Sequence, residues 1–296
     1  MNQQTINRAN TRLNISAGMA SIVVAILLVA LKLWAFSATQ SLSVAASLAD
    51  SALDFMVSLG ALAAIYYAAR PADDDHAFGH TSAEDLAALG QSVFILISGG
   101  VIGWAAVRRL LSDAPTTLMS EGRGMIVMAA SIILTMALIL WQRRVARITG
   151  SRVVAADSLH YLGDLLPAAG ALLSLWASKQ FNLPYIDSVV ALGAAALLII
   201  GALRIGKGAW DALMDRAADP ALIAEIRAIA REHKGVHGFH DLRTRQSGST
   251  VFINLHVELD GAQSLNDAHA ISASLKHEIR QAYPHADVII HQDPVR

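Results

Sequence analysis

The sequence predicts an α-helical membrane protein with six transmembrane helices, followed by a C-terminal cytoplasmic α+β domain of the ferredoxin-like kind. Three observations predict this. The 296 residues are 54% hydrophobic and only 16% charged, well below the roughly 25% charged residues of a soluble domain. Six apolar runs are long enough to cross a bilayer core of about 30 Å. After Asp215 the pattern becomes that of a water-soluble domain: 29 charged residues occupy the first 216 positions, whereas 18 crowd into the last 80.

The spans run from Ile15 to Phe36, Leu42 to Ala69, Leu86 to Leu111, Met125 to Trp141, Val153 to Ser178 and Tyr185 to Leu203. Polar breaks separate them at 37–41, 70–85, 112–124, 142–152 and 179–184. The polar start, 1–14, reads as a cytoplasmic segment, 15–215 as the membrane domain and 216–296 as the soluble domain. The first apolar run is too long for a signal-peptide core and has no clear cleavage site, so it reads as a retained span.

With both termini cytoplasmic, the inner side holds nine basic residues: Arg8, Arg12, Arg70, Arg143, Arg144, Arg147, Arg152, Arg204 and Lys207. The outer side then holds five, Lys32, Arg108, Arg109, Arg123 and Lys179. The positive-inside rule favours that orientation.

In the last part, Leu222, Ile223, Ile226 and Ile229 recur at helical spacing within Pro220–His233. Two strand-like runs follow, Phe239–Gln246 and Thr250–Glu258, joined by Ser247-Gly248-Ser249 as a hairpin signal. A helix over Leu265–Ala282 and a strand over Asp287–His291 complete an α-β-β-α-β order.

Composition also excludes functions. A net charge of −1 argues against nucleic-acid binding. The absence of cysteine excludes disulfides, thiolate metal sites and a cysteine nucleophile. Any metal must therefore be held by histidine and carboxylate. Of the 11 histidines, three lie in the first 216 residues and eight in the last 80.

The second span carries Asp50 and Asp54, and the fifth carries His160 and Asp164. Each pair is spaced i, i+4 and so shares a helix face. Charge at mid-bilayer costs on the order of 2.5–3.5 kcal/mol per residue even on the lenient insertion scale. Three carboxylates and an imidazole are the number and type of ligand a tetrahedral divalent site needs, Zn²⁺ first. Interhelical hydrogen bonding, or a proton relay without metal, is the alternative. Asp157 shares the His160 face nearer the cytoplasmic end and is a candidate for admitting the ion, or a polar cap at a helix start.

These residues carry a family resemblance. Residues 47–54 (SLADSALD) and 156–164 (ADSLHYLGD) resemble the cation diffusion facilitator family, as do 71–80 (PADDDHAFGH), 240–246 (HDLRTRQ) and 291–294 (HQDP). The resemblance implies a homodimeric exporter of divalent cations in exchange for protons, in the bacterial inner membrane. Zn²⁺ is the expected substrate, with Cd²⁺ and Fe²⁺ as further candidates. It places Asp50, Asp54, His160 and Asp164 at the transport site and Asp73, His76 and His80 at a loop site. His240, His256, His269, His291 and Asp293 fall on a two-zinc site of the soluble domain, where zinc would be structural or regulatory. Two positions depart from the family pattern: Ser82 stands where members often carry lysine, and Pro167 follows Asp164 and should bend the fifth helix.

Read from spacing, Asp73, His76 and His80 (i, i+3, i+7) align on a helical turn, although a solvated acidic loop is an equal reading. Strand alternation puts His291 and Asp293 on one face, and sets His256 opposite Val251, Ile253, Leu255 and Val257. Five candidate ligands cannot complete two separate tetrahedra, so Asp293 is expected to bridge. His233, His237, His277 and His285 show no such pattern and read as solvated. An intramembrane metallohydrolase is disfavoured, because no H-E-x-x-H pair occurs and four protein ligands leave no open position. A membrane-anchored metal sensor does not explain Asp50 and Asp164, and a passive divalent-cation channel remains as the alternative to antiport.

Overall fold

The computed structural model describes residues 3–39, 42–111, 122–181, 186–248, 250–284 and 286–295. The connections predicted at 40–41, 112–121 and 182–185, together with Ser249 and His285, lie outside the described residues.

Six long helices come first: α1 (Gln3–Thr39), α2 (Leu42–Ala68), α3 (Ser82–Leu110), α4 (Gly122–Thr149), α5 (Arg152–Phe181) and α6 (Ile186–Leu213). Among the described residues, five contain stretches long and apolar enough to cross a membrane: Ala9–Trp34, Asp50–Ala68, Ser82–Leu110, Ala129–Thr149 and Ser188–Leu213. The remaining helix, α5, carries Asp157, His160 and Asp164 and runs unbroken through position 167.

The helices outrun the apolar segments because nothing stops them. Residues 3–14 contain no glycine or proline, so α1 continues back to Gln3. Helix α3 starts four residues before the predicted Leu86, with Glu84 and Asp85 in its first turn, where carboxylates complement the helix dipole. Helix α4 continues through Arg143, Arg144 and Arg147 and stops at Gly150, whose φ of +72° is the left-handed conformation favoured just after a helix.

The chain divides into two compact units, residues 12–210 and residues 211–296 with 1–11. Within the first, small residues let helices approach. A Cβ on Gly206 would lie 2.5 Å from Ser92 Oγ, and one on Gly201 would lie 2.8 Å from Leu159. Such contacts supply the packing that holds helices together where apolar burial gives no preference over lipid. Tyr161 is fully buried against Leu138, Ile139 and Leu165.

Polar ties fasten the end of the bundle near the α2–α3 loop. Glu84 accepts hydrogen bonds from the Ser151 hydroxyl (2.7 Å) and the Asn14 amide (3.4 Å). Arg152 donates to Asp85 at 2.6 Å, and Asp85 is only 1% exposed. Lys32 lies two residues from the end of the Ala9–Trp34 stretch, and its ammonium donates to Ser51 Oγ of α2 at 2.6 Å. A lysine within an apolar segment is retained by finding a polar partner on a neighbouring helix.

The second unit contains α7 (Pro220–Glu232), β1 (Gly238–Ser247), β2 (Thr250–Leu259), α8 (Leu265–Ala282) and β3 (Ala286–Pro294). The Asp219 carboxylate caps α7 by accepting from Ala221 N, with Pro220 in the first turn. Ser264 caps α8 by accepting from Asp267 N. The sheet order is β1-β2-β3, with β1 antiparallel and β3 parallel to β2. Both helices cover one face, where Ile253, Leu255, Val257, Leu259 and Val288 pack against Ile226, Leu275 and Ile279. The α-β-β-α-β order and one-sided helical layer are those expected for the ferredoxin-like domain.

Candidate metal sites

Helices α2 and α5 bring three of the four intramembrane ligands together. One ligand atom each from Asp54, His160 and Asp164 lies within 4.8 Å of the others. His160 Nε2 is 3.1 Å from Asp54 Oδ1 but is not aligned for a hydrogen bond, so this buried nitrogen has no hydrogen-bond partner. An orphaned imidazole nitrogen beside a carboxylate suits a cation better than a structural hydrogen bond. Phe94 of α3 packs edge-on to His160, with ring centroids 5.6 Å apart. Asp54 and His160 are 8% and 7% exposed, whereas Asp164 and Asp50 are exposed. Asp50 stands one helical turn from Asp54, outside the 4.8 Å set.

Asp157 does not line an opening. It is 2% exposed, and its Oδ2 accepts from the Ser21 hydroxyl and the Gln142 amide, each at 2.6 Å. Tyr161 adds contacts to Ser58 Oγ (2.9 Å) and the Ser21 carbonyl (3.3 Å). Through Oδ2 the carboxylate joins α1, α4 and α5, while its Oδ1 is buried without a hydrogen-bond partner. Ser21, Gln142 and Tyr161 do not stand out in the sequence because polar residues without formal charge are common in spans. Their significance lies in forming one buried network, in which Ser21 and Gln142 hold the acid and Tyr161 holds Ser21.

Between α2 and α3, Asp73, His76 and His80 also offer ligand atoms within 4.8 Å. They do so without the expected helical turn. The segment is a run of turns in which Asp73 Oδ1 accepts from His76 N at 2.7 Å and Gly79 adopts φ +85°. An Asx-type turn competes with helix at such a residue. His76 Nδ1 and His80 Nε2 lie 3.2 and 3.3 Å from the two Asp73 oxygens. His80 is buried edge-on to Tyr67 (4.7 Å), and its Nδ1 has no hydrogen-bond partner. The backbone hydrogen bond from His76 holds the Asp73 carboxyl below its usual value, with desolvation opposing.

In the soluble domain the sheet register builds a row. His240 pairs with His256 across β1 and β2, and His256 pairs with His291 across β2 and β3. Ring centroids are 5.1 and 4.5 Å apart. Asp293 reaches all three: Oδ2 lies 2.9 Å from His256 Nδ1 and 3.3 Å from His240 Nε2, and Oδ1 lies 3.3 Å from His291 Nε2. The His256 hydrogen bond holds the Asp293 carboxyl below its usual value; desolvation opposes this, and the three imidazoles assist. A carboxylate with both oxygens among three imidazoles fits a divalent ion by donor chemistry.

His269 is not in this row. It lies exposed on α8, and α8 covers the opposite, apolar face of the sheet. Two acids that sequence pattern does not single out stand beside His240, namely Asp241 and Glu258, both 3.9 Å away. Asp241 sits at a register shift between His240 and Arg243 with φ +48°, a bulge that sequence alternation does not reveal. His233 and His277 are engaged locally, by Glu278 (2.7 Å) and Gln281 (2.9 Å).

Comparison with known proteins shows the family. Residues 18–214 match the cation efflux transmembrane domain, and residues 218–295 match the cytoplasmic domain of cation efflux proteins. The cation-efflux pump FieF of Shewanella oneidensis is 43% identical over 280 residues, covering 95% of this chain and 94% of that protein. FieF of Escherichia coli K12 is 40% identical over 289 residues, covering 98% of this chain and 95% of that one. Among solved structures, the metal-bound C-terminal domain of the CzcD transporter from Thermotoga maritima covers 25% of this chain and 87% of its own, at 31% identity and TM-score 0.24. On the matches over both domains and on these full-length relatives, the chain belongs to the cation efflux family, also called cation diffusion facilitators, and is a multi-pass membrane transporter rather than an enzyme.

Proposed function

We propose that this transporter exports Zn²⁺ from the cytoplasm of a bacterium across its inner membrane, in exchange for protons, by alternating access. The observation that carries the reading is the buried His160 Nε2, unpartnered and 3.1 Å from Asp54, with Asp164 in reach. Asp50, one turn along α2, is the fourth ligand and must approach by a small rearrangement when the ion binds. The site contains oxygen and imidazole donors without sulfur, which suits Zn²⁺ and tolerates Cd²⁺.

Both termini are cytoplasmic in this reading. The nine basic residues counted inside against five outside support that orientation. Residues 1–14 and 216–296 then form the cytoplasmic parts and 15–215 the transport domain. The soluble domain joins two protomers into a homodimer, with zinc held by His240, His256, His291 and Asp293 as a structural or regulatory ion. His269 does not contribute to that row within one protomer. The Asp73, His76 and His80 group is a weaker three-ligand site facing the cytoplasm. The deciding experiment follows zinc flux in proteoliposomes for the wild type and Asp54→Ala. Wild-type flux that Asp54→Ala abolishes supports the reading, and equal flux in both removes the transport site from α2.

A further inference from the structure

Divalent binding explains the acids of the membrane site but not the cation beside them. Lys32 lies within the α1 span, half-buried, with its ammonium 2.6 Å from Ser51 Oγ. Ser51 is completely buried. It sits between the two α2 acids, one residue after Asp50 and three before Asp54. Its hydroxyl therefore tethers the ammonium at the flank of the site. The charges bearing on Asp164 include those of His160, Asp54, Lys32 and Asp50. Helix α1 thus supplies a fixed positive charge to a site whose ligands come from α2 and α5.

Charge balance gives this a purpose. Asp50, Asp54 and Asp164 carry three negative charges when ionised, and His160 binds metal as the neutral ring. A divalent ion leaves one negative charge uncompensated. The Lys32 ammonium cancels it, so the loaded site is neutral, the state that a low-dielectric surrounding penalises least. The same ammonium repels the ion, which keeps binding loose enough for release on the far side.

We propose that Lys32 is a charge-balancing positioning residue of the transport site, held by Ser51, that sets how tightly a divalent cation is bound and how fast it leaves. This rests on the transport reading above. The test uses the full-length chain with Asp73, His256 and Asp293 replaced by alanine, so that Zn²⁺ titrates the membrane site alone; flux is measured in proteoliposomes. Lys32→Gln should tighten zinc binding by roughly tenfold or more, since like charges beside one partly desolvated site repel with little screening. KM and kcat should fall together as release becomes slow, and Lys32→Arg should restore both. A merely structural lysine would lower the yield of folded protein without tightening binding. If Lys32→Gln does not insert, Ser51→Ala decides, because loosening the ammonium's hold beside the site should tighten binding to a smaller extent. Unchanged or weakened zinc affinity in whichever folded variant is measured overturns the proposal. Zinc binding that survives Asp54→Ala at wild-type affinity would instead refute the placement of the transport site.

Discussion

His160 Nε2 and Asp54 Oδ1 face each other at 3.1 Å across the α5–α2 contact, both nearly buried and without hydrogen-bond alignment. Two polar groups in that relation stabilise the bundle little, and they are poised for a third charge. His160→Ala should therefore abolish zinc flux while leaving the protein folded. Wild-type rates in that variant would exclude the imidazole as a ligand. In the same liposomes Zn²⁺ and Cd²⁺ should compete, and Cu⁺, which prefers sulfur donors, should not displace them; copper flux exceeding zinc flux would contradict the donor set.

Asp157 should behave differently, because it accepts from Ser21 and Gln142 instead of standing free. Asp157→Ala removes the charged acceptor of Ser21 Oγ and Gln142 Nε2, which keep Ala17 O (3.1 Å) and Ser21 Oγ (2.7 Å) as their remaining acceptors, and hydrogen bonds to a charged group contribute about 1.5–3 kcal/mol each. The expected outcome is a lower thermal midpoint in detergent, with zinc affinity of the folded fraction unchanged. Asp157→Asn keeps an acceptor oxygen and should destabilise less. A large loss of zinc affinity in Asp157→Asn would return this residue to the ion's path.

The contrast shows which features are legible in the sequence. Acids spaced i, i+4 inside an apolar run announce a buried polar face, so Asp54, His160 and Asp164 stand out from spacing alone. The tie from Lys32 to Ser51 does not, because a lysine near the end of an apolar run gives no sign of its partner on the next helix. Asp85 and Arg152 lie in polar breaks and read as solvent-facing, yet they meet at 2.6 Å. Spacing suggests a helical turn for Asp73, His76 and His80, but the Asp73 turn and the φ of Gly79 take the backbone elsewhere. Strand alternation places His256 opposite the apolar set. It cannot give the register that aligns His240, His256 and His291, because that depends on a bulge and on a parallel partner strand.

The histidine row allows a prediction for the soluble domain. Replacing His256 and Asp293 together should weaken zinc-dependent thermal stabilisation of the full-length protein while part of the flux persists. Complete loss of flux with normal membrane insertion would make this site obligatory for transport.

Asp293 also predicts an acid limit for the metal-free protein. Its carboxyl is held below its usual value first by the His256 hydrogen bond and then by the neighbouring imidazoles, against desolvation. A group with a depressed folded pKa contributes stability that is present above its unfolded value, about 3.9, and is lost as pH falls through the folded one. Melting curves of the metal-free protein should therefore hold their midpoint down to about pH 4 and lose this contribution below it. Asp293→Asn should remove that part of the acid dependence, and an identical acid limb in the variant would show that other carboxylates set it.

Coupling to protons follows from the same chemistry at the membrane site. Zn²⁺ requires His160 neutral and Asp50, Asp54 and Asp164 ionised, so every proton taken up by the site competes with the metal. If the bundle exposes this site to one side at a time, zinc binds where protons are scarce and leaves where they are plentiful. An outward-to-inward proton gradient then drives zinc out. A passive pore makes the opposite prediction, because zinc moves only down its own gradient whatever the pH difference. Proteoliposomes loaded with equal zinc on both sides, with the membrane potential clamped and a pH difference imposed, separate the two. Antiport requires zinc to accumulate on the acidic side while protons move the other way, and Asp54→Ala should stop both movements together. Zinc that stays at equal concentration, with no proton counterflow in liposomes that otherwise pass zinc, would leave the pore as the mechanism.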